Sequence, residues 1–276
     1  MGKFQGYLLV SDFDGTLIDH QLKISNENVE AISSFIAQGG RFLGATGRTE
    51  LNVRPYTDGI PMSSPWILYN GAAIFDWQSN SFLYKAPLDR PLTEAFVTKV
   101  MARFPTINVQ VFSGGPFCQV NRDALPDRQV VLEGQRFEYK PMDEITEDWL
   151  KVLFCADDPD EIDAIESMLG DDPLRLQVHK MHSAARYFEL TAPGANKGSA
   201  LARLRQLLVP APITVVAIGD YLNDIEMLQE ADISAAPESA LPEVKKDVDI
   251  ITSSHSDSAI ADLVRKLESR VATWLG

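Results

Sequence analysis

The chain has 276 residues, with 25 Lys+Arg against 39 Asp+Glu and a formal charge of −14. That acidic balance, with no Lys/Arg-rich run, excludes nucleic acid and anionic membrane as main partners. The 45% hydrophobic and 23% charged composition excludes a disordered chain. No stretch reaches the ~18 apolar residues of a membrane span.

Short apolar runs bounded by turn residues read as buried strands at Tyr7–Val10, Phe42–Ala45, Trp66–Tyr69, Thr214–Ile218 and Asp249–Thr252. Between the first two, Ser25 is a helix cap, Val29, Ile32, Phe35 and Ile36 form a stripe, and Gly39-Gly40 closes it. In the middle of the chain, Leu92, Phe96, Val97, Val100 and Phe104 mark an amphipathic helix. Asn108–Val120 follows as a hairpin turning at Gly114-Gly115. Strand-like runs at Val130–Tyr139, Val152–Ala156, Leu174–His179 and Arg186–Thr191 surround a helix at Asp160–Leu169. Two later helices begin near Asn196 (Leu201, Leu204, Leu207, Leu208) and Ser258 (Ile260, Leu263, Val264, Leu267, Val271). Alternating strands and helices at both ends imply an α/β, doubly wound, mostly parallel sheet. The middle reads as an inserted α+β domain at 85–187, with 1–84 and 188–276 forming the core.

Four of the parallel strands run directly into polar clusters: Ser11-Asp12-Phe13-Asp14-Gly15-Thr16, Thr46-Gly47-Arg48, Asn70-Gly71-Ala72 and Gly219-Asp220-Tyr221-Leu222-Asn223-Asp224. Ligands of open parallel sheets bind beyond the carboxyl ends of the strands, so the clusters converge on one site. Asp12 and Asp14, two residues apart at a strand end, face one space. Two close carboxylates repel unless a cation or proton lies between them, and Asp220 adds a third acid. Oxygen-only ligands suit Mg²⁺ better than zinc or copper. A carboxylate can attack phosphorus without a general base, while Thr46 and Lys197 supply a hydrogen bond and positive charge. A second Asp with raised proton affinity can protonate the leaving oxygen and then deprotonate water.

The set D-F-D-G-T, T-G-R, a late lysine in A-N-K-G-S, and G-D-x-x-N-D resembles the haloacid dehalogenase superfamily, and the 85–187 insertion resembles the type IIB cap of its Cof-like branch. The resemblance implies a phosphatase with Asp12 as nucleophile, forming an aspartyl-phosphate, and Asp14 as acid/base. It implies Mg²⁺ held by Asp12, Asp220 and the backbone carbonyl of Asp14, and a phosphoryl group held by Thr46, Gly47 and Lys197. Asn223 and Asp224 would support the metal and the lysine, with Arg48 and Asn70 near the substrate. The chain departs from the family pattern at Ala236-Pro237-Glu238-Ser239-Ala240 and at Asp257-Ser258.

The remaining chemistry-bearing residues read as structural. His179 and His182 in H-K-M-H fall on opposite faces of a strand and make no metal site. Cys118 and Cys155 make neither a disulfide framework nor a zinc site and read as buried filler. Phe112, Phe117, Phe137, Tyr139, Phe154 and Tyr187 read as cap core. The N-terminus reads as neither a signal peptide nor a myristoylation site, since Gly6 stands where Ser or Thr is required. The expectation is therefore a reduced, cytoplasmic protein, a monomer or small homo-oligomer, acting on a small phosphorylated metabolite such as a sugar phosphate. A phosphomutase or phosphotransferase passing the same aspartyl-phosphate to a second hydroxyl is the alternative, and a non-catalytic phosphate-binding regulator is a third reading.

Overall fold

The computed structural model describes residues 2–208, 210–212 and 214–274, with side chains as far as Arg270. The chain opens with β1 (Tyr7–Asp12), α1 (Asn26–Ala37), β2 (Arg41–Ala45), the short α2 (Glu50–Val53), β3 (Trp66–Leu68), β4 (Ala73–Asp76) and β5 (Ser81–Lys85). It continues through α3 (Arg90–Arg103), β6 (Asn108–Phe112), β7 (Phe117–Gln119), α4 (Arg128–Leu132), β8 (Phe137–Tyr139), β9 (Lys151–Cys155), α5 (Pro159–Gly170), β10 (His179–Ala184) and β11 (Tyr187–Thr191). The last part holds α6 (Lys197–Leu207), β12 (Thr214–Ile218), α7 (Ile225–Glu230), β13 (Ile233–Pro237), α8 (Pro242–Lys245), β14 (Ile250–Thr252) and α9 (Ala259–Trp274).

The first sheet has the order β14-β13-β12-β1-β2-β3-β4-β5, parallel as far as β3 and antiparallel over its last two strands. Leu8, Leu9 and Val10 are all buried, as a central strand covered on both faces requires. The α1 helix starts where the Ser25 hydroxyl accepts from the Asn28 amide, and it packs beside α9, whose Ile260, Leu263, Val264 and Leu267 are buried. The Val271 side chain, also expected on that stripe, lies outside the described residues.

The second sheet has the order β10-β11-β9-β6-β7-β8, antiparallel except for the β7–β8 pair. Its period of two divides the labour. Val109, Val111, Val152, Phe154, Phe188 and Leu190 join a core with Phe96, Val97 and Val100 of α3 and Ile162 and Ile165 of α5. The alternate residues Gln110, Phe112, Lys151, Leu153, Tyr187 and Glu189 line a cavity above the carboxyl edge of the first sheet. This sheet extends to Thr191, because β11 pairs along its whole length with β9, so it reaches past the residue 187 expected for the insertion.

Local capping overrides propensity in two places. The run from Val130 was expected as a strand, but the Asp127 carboxylate accepts from the Gln129 amide and starts α4, leaving only Phe137–Tyr139 extended. The run from Leu174 begins as a 3₁₀ turn, Pro173–Leu176, capped by Asp172, and the strand waits until His179. α6 ends at Leu207, which is exposed and contributes nothing to the expected stripe, and Leu208 is already extended. β4, β5 and β13 were not anticipated, since β13 is Ile-Ser-Ala-Ala-Pro and lacks a bulky apolar run. Among the described residues, no helix is long and apolar enough to cross a membrane.

Candidate active site

The parallel register places Asp12 level with Ala45 of β2, and Ser11 level with Ile218 of β12. The segments after β1, β2, β3 and β12 therefore emerge side by side. Asp12 is buried at its strand end, and its Oδ1 lies 2.5 Å from the Lys197 ammonium. Lys197 is the first residue of α6, which Asn196 caps by accepting from the Ser199 amide while the Ser199 hydroxyl takes the Asn196 amide. Its Nζ also donates to Asp224 Oδ1 at 2.6 Å. The other Asp224 oxygen accepts from the Asp220 and Tyr221 amides and so closes the turn that presents Asp220. Thr16 donates to Asp220 Oδ1 at 2.8 Å.

Charge explains why these groups need one another. Burial is the main cause pushing the Asp12 carboxyl well above its usual value, with the Asp224 charge adding and Lys197 opposing. Asp220 is pushed up to about 6, again by burial and then by Asp224. Burial works against the Lys197 charge, but Asp12 and Asp224 more than reverse it and hold the ammonium above the ordinary lysine range.

Asp12, Asp220 and Asp224 offer carboxylate oxygens all within 4.8 Å of one another. Gly15 packs so close that a Cβ there would meet Asp220 Oδ2 at 2.5 Å. An all-oxygen, electrostatically strained cluster of this kind fits a hard divalent cation such as Mg²⁺. The acid trio differs from the sequence expectation in one member. The Asp14 carboxylate is outside the cluster because Arg48 forks onto it, Nη2 at 2.6 Å and Nε at 2.9 Å.

Thr46 is buried and its hydroxyl accepts from the Arg48 amide. Gly47 lies against Asn70, so that a Cβ there would fall 2.8 Å from Asn70 Nδ2. Asn70 sits in the left-handed region at φ 54°, ψ 34°, and its Oδ1 accepts from Asn223 Nδ2 at 3.0 Å. Gly71 (φ +94°) lets this loop touch the start of α6, where a Cβ would lie 2.1 Å from the Asn196 carbonyl oxygen. All ten residues singled out from the sequence thus lie in one connected region, with Asp14 and Arg48 on its rim.

The second sheet supplies a roof that the motif reading missed. The cavity between the sheets has a volume of about 270 Å³, near the lower end for small-molecule sites (about 300–1,000 Å³). Lys151 and Glu189 form a buried pair at 2.9 Å. Glu133, just past α4, bonds Arg48 Nη1 at 2.6 Å. Phe112 and Tyr187, expected in the core, stand on the cavity wall, with the Tyr187 hydroxyl donating to Asp127 at 2.5 Å. The signal for the roof was a charged residue in strands of otherwise apolar character, Lys151 in K-V-L-F-C and Glu189 in Y-F-E-L-T. His182 pairs with Glu166 at 3.0 Å, away from this cavity. Cys118 and Cys155 are free and buried, and burial pushes the Cys155 thiol up to about 12.

A buried acid cluster and lysine beyond a parallel sheet, under a polar roof, define an enzyme of the α/β class. Residues 9–264 match the haloacid dehalogenase-like hydrolase family, and the chain belongs to it. The chain is 29% identical over 260 residues to the Bacillus subtilis 5-amino-6-(5-phospho-D-ribitylamino)uracil phosphatase YcsE, covering 94% of each protein. It is 25% identical to a haloacid dehalogenase-like hydrolase from Bacteroides thetaiotaomicron, with a TM-score of 0.81 over 96% of this chain and 99% of the other. A haloacid dehalogenase-like hydrolase of Bacillus subtilis shares the fold at a TM-score of 0.81 and 22% identity, over 94% and 98% of the two chains. The enzyme is of the phosphatase class.

Proposed function

We propose that this chain is a cytoplasmic, Mg²⁺-dependent phosphatase of a small phosphorylated metabolite, a sugar phosphate, acting through an aspartyl-phosphate on Asp12. We take the insertion as its cap, beginning at 85 and running on to Thr191 where β11 ends its pairing with β9, the flanking segments as its catalytic core, and the working form as a monomer or small homo-oligomer. The observation that carries the reading is Asp12 itself. Its carboxylate is buried at a strand end, held through one oxygen by Lys197, and lines a cavity of metabolite size. Asn52, Gln110, Gln129, Gln135, Ser183 and Tyr187 line the same cavity, and such amides and hydroxyls suit a hydroxylated leaving group.

In this reading the Asp12 oxygen not held by Lys197 attacks phosphorus and the bond to the leaving oxygen breaks, its electron pair staying on that oxygen. Asp14, whose carboxylate the Arg48 fork holds at the rim, has to leave that fork and take a proton from solvent before it gives one to the leaving oxygen. Asp14 then takes a proton from the water that attacks the aspartyl-phosphate, which returns the Asp12 carboxylate and frees inorganic phosphate. Lys197, Thr46 and Gly47 hold the phosphoryl oxygens throughout. Mg²⁺, held by Asp12, Asp220 and the Asp14 carbonyl with Asp224 beside them, would neutralise charge on the phosphoryl oxygens. The second sheet excludes bulk water.

The test is phosphate release from p-nitrophenyl phosphate with Mg²⁺. Asp12→Asn is expected to lose at least ~10³-fold in kcat, and equal rates for the two proteins would remove the assigned nucleophile. With a sugar phosphate the expected product is free phosphate, whereas an isomeric sugar phosphate would make the enzyme a mutase.

A further inference from the structure

Two buried lysines line the cavity, and the chemistry above uses only Lys197. The Lys151 ammonium lies 2.9 Å from Glu189 Oε2, donates to the Gly47 carbonyl oxygen at 2.9 Å, and sits 4.2 Å from the centre of the Phe112 ring. Its side chain and that of Glu189 are 3% and 2% exposed. A buried ion pair is a poor device for stability, since desolvating two charges offsets most of their attraction. Were the pair there to tie β9 to β11, its bonding capacity would stay within the second sheet. Ser183 of β10 does donate to Glu189. The remaining bonds leave the sheet: Lys151 reaches the backbone of the 46–48 loop, and Glu189 accepts from Asn70 Nδ2 at 2.8 Å.

Those two loops are already joined. The Asn70 amide donates to the Thr46 carbonyl at 2.9 Å, and Asn70 accepts from Asn223 of the loop after β12. Left-handed backbone at a non-glycine residue is strained and persists where surrounding contacts hold it. Asn70 is such a residue, and Glu189 is one of its holders.

We infer that Lys151 and Glu189 are positioning residues that hold the Thr46-Gly47 and Asn70 loops in phosphoryl-binding geometry when the second sheet is closed on the first. Closing the roof and completing the phosphoryl site are then one event. Because the contacts act on the phosphoryl end, their effect is the same for every leaving group.

The kinetic arm of the test rests on the phosphatase reading, whereas the exchange arm does not. Lys151→Met/Glu189→Leu removes both charges together with the bond to Gly47 and the acceptor for Asn70. Amide hydrogen exchange in peptides covering 44–52 and 66–72 is expected to rise about tenfold, with 152–155 and 187–191 unchanged. The kcat is expected to fall about 10- to 100-fold, by the same factor for p-nitrophenyl phosphate and for a sugar phosphate. Unchanged exchange in the two loops overturns the inference, and so do unequal losses for the two substrates, which would mark leaving-group recognition. A wild-type enzyme with no phosphatase activity would bring down the phosphatase reading alone, since exchange still decides this one. Should that variant fold poorly, Lys151→Met/Glu189→Gln leaves no unpaired buried charge and keeps an acceptor for Asn70. It is expected to loosen 46–48 and spare 69–71, and loosening of neither overturns the inference.

Discussion

Lys197 and Lys151 are buried lysines on the wall of one cavity, and the fold holds them in opposite ways. Lys197 starts a helix of the first sheet's layer, and both its carboxylate partners, Asp12 and Asp224, belong to that layer. Lys151 starts a strand of the second sheet, pairs with Glu189 of the same sheet, and spends a further bond on Gly47 across the cavity. The charged centre of the floor is therefore held within its own layer, while the roof acts on the phosphoryl loops only by contact. Loss of a floor residue should remove the chemistry, and loss of a roof residue should only misalign it.

The sharpest way to break that contrast is Lys197→Met. It leaves Asp12 and Asp224 facing each other without a counter-charge, so activity is expected to fall at least ~10³-fold and stability by about 3–5 kcal/mol. Phosphate release and thermal melting measure the two, and activity within tenfold of wild type would put the lysines on one footing.

A smaller effect concerns the metal. Asp220 has its carboxyl raised from 3.8 to about 6 in the folded chain. The native state therefore binds more protons than the unfolded chain between those values, so metal-free stability falls as pH rises through that window. A bound cation relieves the repulsion, and its stabilising effect grows with pH. The Tm gain from saturating Mg²⁺ is expected to be about 5 °C larger at about pH 7.5 than at about pH 5. Equal gains would take the acid cluster out of the metal site.

The smallest expected effect tests the edge of the roof. His182→Ala removes a partly exposed contact with Glu166 and is expected to change stability by less than about 0.5 kcal/mol and kcat by less than about twofold. A large loss of activity would bring His182 itself into the functional roof beside Ser183.

The floor was legible because its residues are contiguous. Asp12 through Thr16, Thr46 through Arg48, and Asp220 through Asp224 each lie within a few positions of a strand end, and parallel strands bring such ends together. The Asn196 cap and the following lysine were equally local. The roof was not legible, because Gln110, Lys151 and Glu189 come from three strands and share a face only through antiparallel register. The α4 segment misled for a related reason. Val130, Val131 and Leu132 favour a strand, yet the preceding Asp127 supplies a helix cap.

Spacing along the chain thus determined the class of fold, the four strand-end clusters and the acidic character of the site. Those features follow from local periodicity and from the shared direction of parallel strands. Tertiary structure alone decided that the Asp14 carboxylate is claimed by Arg48 while Asp224 joins the buried acids, and that Lys151 reaches across to Gly47. These outcomes depend on which side chains compete for the same few ångströms of space, a contest between residues as many as 212 positions apart.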